Sequence, residues 1–318
     1  MVSRYFKALA IVLAFMAPMF SGIARSGEKQ VFGISLMSLR HPFFQEMRDE
    51  MEKTAKELDV VLRLTDADFD AGKQVRQIDD FVQQKVSAIV IAPCDSKAVA
   101  PALNKAIAAG IPVVTVDVAA EGVNVVSHCA SDNIAGGRLA GGLMVGRLSE
   151  RGVTEGIILI VDHSGVTSTA QRNQGFKEVA SGKLPGVRIE TLNAIGQRDR
   201  AMAVTEDALQ RFGDDLVGVF GVNDDCALGA LSAIERAEML DQISVVGYDL
   251  GDESKTAIDE GRIVGDTVQF PALIGRYGLT TAFEFVTGKN VNPPKSNPVP
   301  VGTYTIDGFR DQQGNLVQ

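Results

Sequence analysis

Short apolar runs that alternate with helix-patterned stretches, and do so twice over, constrain this chain more than any other feature. Val31–Leu36, Val60–Leu64, Ala88–Ala92 and Pro112–Val116 are nearly continuous apolar runs bounded by turn residues. Between them, apolar residues recur at helical spacing: Phe44, Met47, Met51 and Leu58, then Val75, Ile78, Phe81 and Val82, then Val99, Leu103 and Ile107. Asp95 or Ser96 is expected to cap the third helix, and Gly110 ends it. Strands that are apolar throughout and separated by helices belong to a parallel sheet covered on both faces. A short strand over Asn124–Ser127 leads to Ser131-Asp132-Asn133, and there the pattern restarts. Strands are predicted at Ile157–Val161, Arg188–Ala194, Leu216–Val222, Ser244–Tyr248 and Ile263–Val268, with helices between them. Two doubly wound α/β units are the simplest account, and 318 residues suffice for two cores. A last helix, Ala272–Val286, is followed by Pro- and Gly-rich chain and a final strand, Val299–Thr305.

Polar residues recur where these strands end. Asp117, Asn223-Asp224, Asp249 and Gln269 each follow an apolar run, and Arg172 lies on the helix after Ile157–Val161. In open α/β sheets the C-terminal strand ends line the ligand crevice. A lone Asp or Asn there is ordinarily a helix cap or turn former. Several of them, drawn from two sheets, form a set that can hydrogen-bond vicinal hydroxyls, the carboxylates accepting and the guanidinium donating. The stretch after the first strand, Leu39-Arg40-His41-Pro42-Phe43-Phe44, adds aromatic faces. Pro42 suits the first helical position, which makes His41 the N-cap. Phe44 belongs to the core-facing stripe, so Phe43 is expected in the crevice, where a ring can cover the C–H side of a sugar.

Other features exclude function classes. A net charge of −9 speaks against a nucleic-acid partner. Arg4 and Lys7, the apolar stretch Ala8–Phe20 and the small residues Gly22-Ile23-Ala24 have the form of a cleaved export signal, too short to span a bilayer. Cys94, Cys129 and Cys226 are an odd set among apolar neighbours, so buried free thiols are expected, with a Cys94–Cys129 bridge left open. No Cys/His cluster has metal-ligand spacing, and neither a metal nor a cofactor is expected. The run Asp66–Gly72 resembles the start of a calcium loop, but its glycine is one place late and Gln77 stands where a bidentate glutamate belongs. Gly137, Gly141 and Gly142 lie inside a helical pattern and fit close helix packing better than a dinucleotide fingerprint.

With these residues in hand, the chain resembles the periplasmic pentose- and hexose-binding proteins of ABC importers, most closely the ribose-binding type. The shared stretches are Pro42-Phe43-Phe44, Val126-Ser127-His128, Ala130-Ser131-Asp132-Asn133, Asn223-Asp224 with Ala227-Leu228-Gly229-Ala230, Val245–Asp249, and Gln269 before Pro271. The resemblance implies a type I periplasmic binding protein: two Rossmann-like lobes joined by three hinge crossovers. It implies a signal peptide over 1–24, an N-terminal lobe of 25–131 plus 270–299, and a C-terminal lobe of 132–269 plus 300–318. The implied ligand residues are His41, Phe43, Phe44 and Asp117 from the first lobe, Arg172, Asn223 and Asp249 from the second, and Gln269 at a hinge. The implied partners are a sugar or polyol and a membrane ABC permease, with a chemoreceptor as a further partner that the class allows. A periplasmic monomer is expected. Three positions depart from the ribose pattern: His41 replaces an asparagine, Val118 an arginine, and Gly196-Gln197 a stacking aromatic. A pentose-like sugar other than ribose, or a small polyol, therefore fits as well as ribose does.

Three rivals are weighed against that reading. A regulator of the LacI type shares the core but needs a helix-turn-helix where this chain carries an export signal. A sugar-acting enzyme would use carboxylates among Asp117, Asp224 and Asp249 as an acid–base pair. A sensory binding protein would use the same cleft.

Overall fold

The structure is a computed structural model and describes residues 29–317, so the expected export signal lies outside the described residues. The first half of the chain alternates as the apolar runs require: β1 (Val31–Leu36), α1 (Pro42–Leu58), β2 (Val61–Asp66), α2 (Ala71–Gln83), β3 (Ala88–Ile91), α3 (Ala100–Ala108), β4 (Val113–Val116) and β5 (Ser127–Ser131). The second half continues with α4 (Asn133–Glu150), β6 (Gly156–Asp162), α5 (Thr167–Lys183), β7 (Val187–Asn193), α6 (Arg198–Phe212), β8 (Leu216–Gly221), α7 (Asp224–Arg236), β9 (Ser244–Asp249), α8 (Asp252–Asp259) and β10 (Gly265–Val268). The chain ends with α9 (Pro271–Val286), β11 (Ser296–Val299), β12 (Gly302–Thr305) and β13 (Gly308–Arg310).

Two sheets result. One has the order β11-β5-β4-β3-β1-β2 and is parallel throughout; the other has the order β13-β12-β10-β9-β8-β6-β7. In the second sheet β12 runs antiparallel to β10, and β13 antiparallel to β12. The chain passes between sheets after β5, after β10 and between β11 and β12. Both sheets turn the carboxyl ends of their central strands toward one another, which places the strand-tip residues at a shared boundary.

The local differences from the sequence reading have physical causes. The strand expected at Asn124–Ser127 is β5, shifted toward Ser131, because Ser127–Cys129 pair with β4 and His128–Ser131 pair with β11. The single final strand divides into β11 and β12, one in each sheet, around Pro300, which has no N–H to continue a ladder. β10 starts at Gly265 rather than Ile263. Neither Asp95 nor Ser96 caps α3. Val99 holds that position, while Asp95 accepts the Lys97 and Ala98 amides in the turn before it. Gly137 and Gly141 do pack helix on helix: a Cβ on Gly137 would lie 2.1 Å from the Arg172 carbonyl oxygen, and one on Gly141 would lie 3.0 Å from that of Phe176. Gly142 faces open space and plays no such part. Asp70 caps α2 and Asp66 accepts the Leu39 and Asp68 amides, so the calcium-like run is a helix lead-in. The three cysteines are buried and free, and no Cys94–Cys129 bridge forms.

Candidate functional site

All eight residues singled out in the sequence line one cavity of about 40 Å³ between the two sheets. A larger groove of about 370 Å³ lies at the opposite ends of β4 and β5, beside Phe285. Its walls are mostly apolar, and its Lys295 is engaged by Asn124 and the Val125 carbonyl. The smaller cleft is the candidate because unpartnered polar groups converge there.

His41 caps α1, as Pro42 at the first helical position requires. Its Nδ1 accepts the Phe43 amide at 3.3 Å, so a neutral ring carries its proton on Nε2. That Nε2 is buried without a hydrogen-bond partner among the described residues, 3.8 Å from Asp249 Oδ2 and 4.0 Å from Asp225 Oδ2. Phe43 and Phe44 meet edge to face at 5.1 Å, and both border the cleft. The division expected between them, one inward and one toward the crevice, is therefore not observed.

Arg172 rises from α5 and is 4% exposed. Nε donates to Asn133 Oδ1 at 2.8 Å, Nη1 donates to the Val222 carbonyl at 2.7 Å, and the guanidinium lies 3.9 Å over the Tyr248 ring. Held in this way, it stands between Asp249 Oδ1 at 3.6 Å and Asp117 Oδ1 at 3.9 Å. Both separations exceed hydrogen-bond length, which leaves room for bonds to a third party.

Asp117 follows β4 with φ of +59°, a left-handed conformation that costs a non-glycine residue free energy and marks functional sites. Burial pushes its carboxyl up to about 6, against the pull of Arg172. Asp249 closes β9 at φ +113° and accepts Gln269 Nε2 at 2.6 Å; burial raises its pKa too, again opposed by Arg172. Gln269 sits where the chain crosses from β10 to α9. Its Oε1 and Asp117 Oδ1, like His41 Nε2, have no hydrogen-bond partner among the described residues. Asn223 caps α7 through the Cys226 amide and donates to the Gly196 carbonyl at 3.2 Å, so it is a helix cap that also borders the cleft. Asp224 accepts the Gly251 amide at 2.7 Å and does not line the cleft, which removes one of the carboxylates an acid–base pair would need.

Sequence reasoning missed several neighbours. His163 and Phe69 line the cleft from opposite sides, as does Thr169. His163 follows β6 directly, so the strand-tip rule that found Asp117 also applied to it. The mouth of the cleft is bridged by direct hydrogen bonds: the Ser96 amide to the Gly165 carbonyl (3.0 Å), the Thr167 amide to Ser96 Oγ (3.1 Å) and the Ala119 amide to Thr167 Oγ1 (3.0 Å). Among the described residues no group of three or more His, Cys, Asp and Glu side chains is placed to hold a metal ion.

Two doubly wound sheets facing each other across a polar, ring-lined cleft define a two-lobed solute-binding protein. The chain belongs to the periplasmic binding protein family, whose domain model matches residues 32–290. It is 33% identical to the ribose import binding protein of Bacillus subtilis over 291 residues, 90% of this chain and 92% of that one. Among solved structures it resembles an ABC transporter solute-binding protein of Mycobacterium smegmatis with bound glycerol (TM-score 0.80, 30% identity, 92% and 98% of the two chains). It also resembles a carbohydrate-transporter binding protein of Agrobacterium radiobacter in complex with D-arabinose (TM-score 0.81, 26% identity, 88% and 95%). The family is one of solute-binding proteins of ABC importers rather than enzymes, and its members work outside the cytoplasm.

Proposed function

We propose that this protein captures a neutral monosaccharide or small polyol in the interlobe cleft and presents it to the permease of an ABC importer. The observation that carries this reading is the convergence of His41 Nε2, Asp117 Oδ1 and Gln269 Oε1, buried and unpartnered, around a fixed guanidinium. A buried polar atom without a partner costs roughly 1–3 kcal/mol, so such atoms mark places where a ligand's hydroxyls complete the set. Two carboxylates against one guanidinium make the cleft hostile to sugar acids and phosphates. Ribose, glycerol and D-arabinose, named for the relatives, are all neutral and polyhydroxylated.

The mechanism is ligand-gated closure. Asp117 and the two phenylalanines come from the lobe of one sheet, Arg172 and Asp249 from the lobe of the other, and Gln269 from the crossing between them. Only a closed arrangement brings both halves onto one ligand, so the ligand shifts the population toward closure. The three passages between the sheets act as the hinge. The closed monomer then docks on the permease through one surface of each lobe, and a chemoreceptor could read the same form. Residues 1–24 act as the export signal, cleaved near Ala24 to release the protein into the periplasm.

A thermal-shift screen of sugars and polyols on the mature protein tests this. A ligand at a hundred times its dissociation constant stabilises by about 2.7 kcal/mol. A flat response across pentoses, hexoses, pentitols and inositols would overturn the reading.

A further inference from the structure

Two imidazoles face the cleft, and the sequence makes room for one of them in an unusual way. His163 stands just past β6, is 8% exposed, and has its backbone carbonyl held by the Thr169 hydroxyl at 2.7 Å. Its ring lies 6.2 Å from that of Phe69, which comes from the other side of the cleft, with the planes inclined by 57°. Among the described residues no side-chain hydrogen bond involves either ring nitrogen, though neither is a fully buried orphan of the kind His41 Nε2 is. Gly196, beyond β7, backs onto this ring. A Cβ built there would lie 2.7 Å from His163 Nδ1 and 3.1 Å from its Cγ, closer than side chains approach. Gly196 has φ of +68°, and the Asn223 amide fixes its carbonyl. The loop after β7 thus gives up a side chain, and a histidine ring forms the cleft wall beside it.

A phenylalanine or leucine would fill the same space if packing were all that was asked. The imidazole brings a donor and an acceptor instead. Burial, with Arg172 adding to it and Asp162 opposing, pushes His163 down to about 4, so near neutral pH the ring is uncharged with one N–H and one bare nitrogen. A site that hydrogen-bonds a ligand hydroxyl discriminates strongly against the analogue lacking it, because its own polar atom is then left unpaired.

We propose that His163 is a specificity-determining residue that hydrogen-bonds one ligand hydroxyl, with Gly196 as the glycine that admits its ring. The ligand then presents a hydroxyl, not a C–H face, toward the β6–β7 side of the cleft. This rests on the polyol reading of the site and sharpens it.

The test is calorimetric titration of the purified protein with D-ribose, D-arabinose and xylitol, each beside its monodeoxy analogues. The wild type is expected to bind at least one parent about tenfold more tightly than one of its monodeoxy analogues. His163→Phe should weaken that parent by about tenfold while leaving the analogue within roughly threefold, so the preference disappears. His163→Gln, which keeps a donor and an acceptor, should retain the preference, and His163→Leu replaces the Phe variant if that one fails to fold. A structural role alone would weaken parent and analogue equally. If the apolar variants keep the wild-type preference, or weaken both compounds alike, His163 does not read a hydroxyl and this proposal fails while the polyol reading stands. If the wild type binds none of these compounds, this proposal fails, and a flat response in the wider sugar and polyol screen then decides whether the polyol reading fails with it.

Discussion

Replacing Asp249 by Asn should move affinity and stability in opposite directions. Asn has nearly the shape of Asp and tolerates the positive φ found at this position. Its amide oxygen can keep the bond that Asp249 Oδ1 accepts from Gln269 Nε2. What is lost is charge. Hydrogen bonds to a carboxylate contribute about 1.5–3 kcal/mol, against about 0.5–1.5 kcal/mol for neutral ones. With two ligand hydroxyls on the carboxylate, Asp249→Asn should cost about 2–3 kcal/mol of binding, or roughly 30- to 150-fold in affinity. Folding responds the other way. Burial already raises the Asp249 pKa, so the folded protein bears a cost for holding that charge, and the variant should be as stable as the wild type or more so. The assay is calorimetric titration with the tightest ligand from the sugar screen, paired with urea unfolding of the ligand-free protein. Unchanged affinity would show that Asp249 does not touch the ligand. A large loss of stability would show that its charge supports the fold rather than the site.

Other outcomes follow from the same geometry. The Asp117 carboxyl, raised to about 6, favours folding of the ligand-free protein in its protonated form. Its contribution to folding stability is fully present below about pH 4 and is lost as pH rises through its folded value. Ligand hydroxyls prefer the carboxylate, so affinity should fall about tenfold between pH 7 and pH 5, and a flat titration profile would count against Asp117 as an acceptor. Thr167→Val removes the hydroxyl that the Ala119 amide reaches across the mouth at 3.0 Å; it should raise the ligand's dissociation rate roughly fivefold by weakening the closed state, as stopped-flow kinetics would show. Gly137→Ala would press a Cβ against the Arg172 carbonyl, and unfolding titrations should register a loss of roughly 1–3 kcal/mol, with ligand affinity falling as the guanidinium shifts.

The site was legible in the sequence because its logic is local. A polar residue after an apolar run sits at a strand tip, and the tips of both sheets meet, so Asp117, Asn223, Asp249 and Gln269 could be assigned to the cleft without coordinates. His163 obeys the same rule, standing directly after β6. Phe69 lies in the loop leading into α2, where Asp66 and Asp70 serve backbone amides and no strand-tip or helical-stripe pattern marks the ring. The contacts of Ser96 with Gly165 and Thr167 join residues about seventy positions apart, and no periodicity reports such a pair. The bounds of β5 and β11 were misplaced for a similar reason. Their own residues are small, polar or proline-containing, and pairing in the sheet rather than propensity makes them strands. Asn223 shows that a cap and a cleft residue can be one side chain, so the structural and functional readings were not alternatives there.

A crystal structure of the protein with its tightest sugar or polyol tests the central claim most directly. Ligand oxygens should lie within about 3.2 Å of His41 Nε2, Asp117 Oδ1 and Gln269 Oε1, with a C–H face against Phe43 or Phe44. Ligand density outside the interlobe cleft, or in it with those three atoms still unpartnered, would contradict the account.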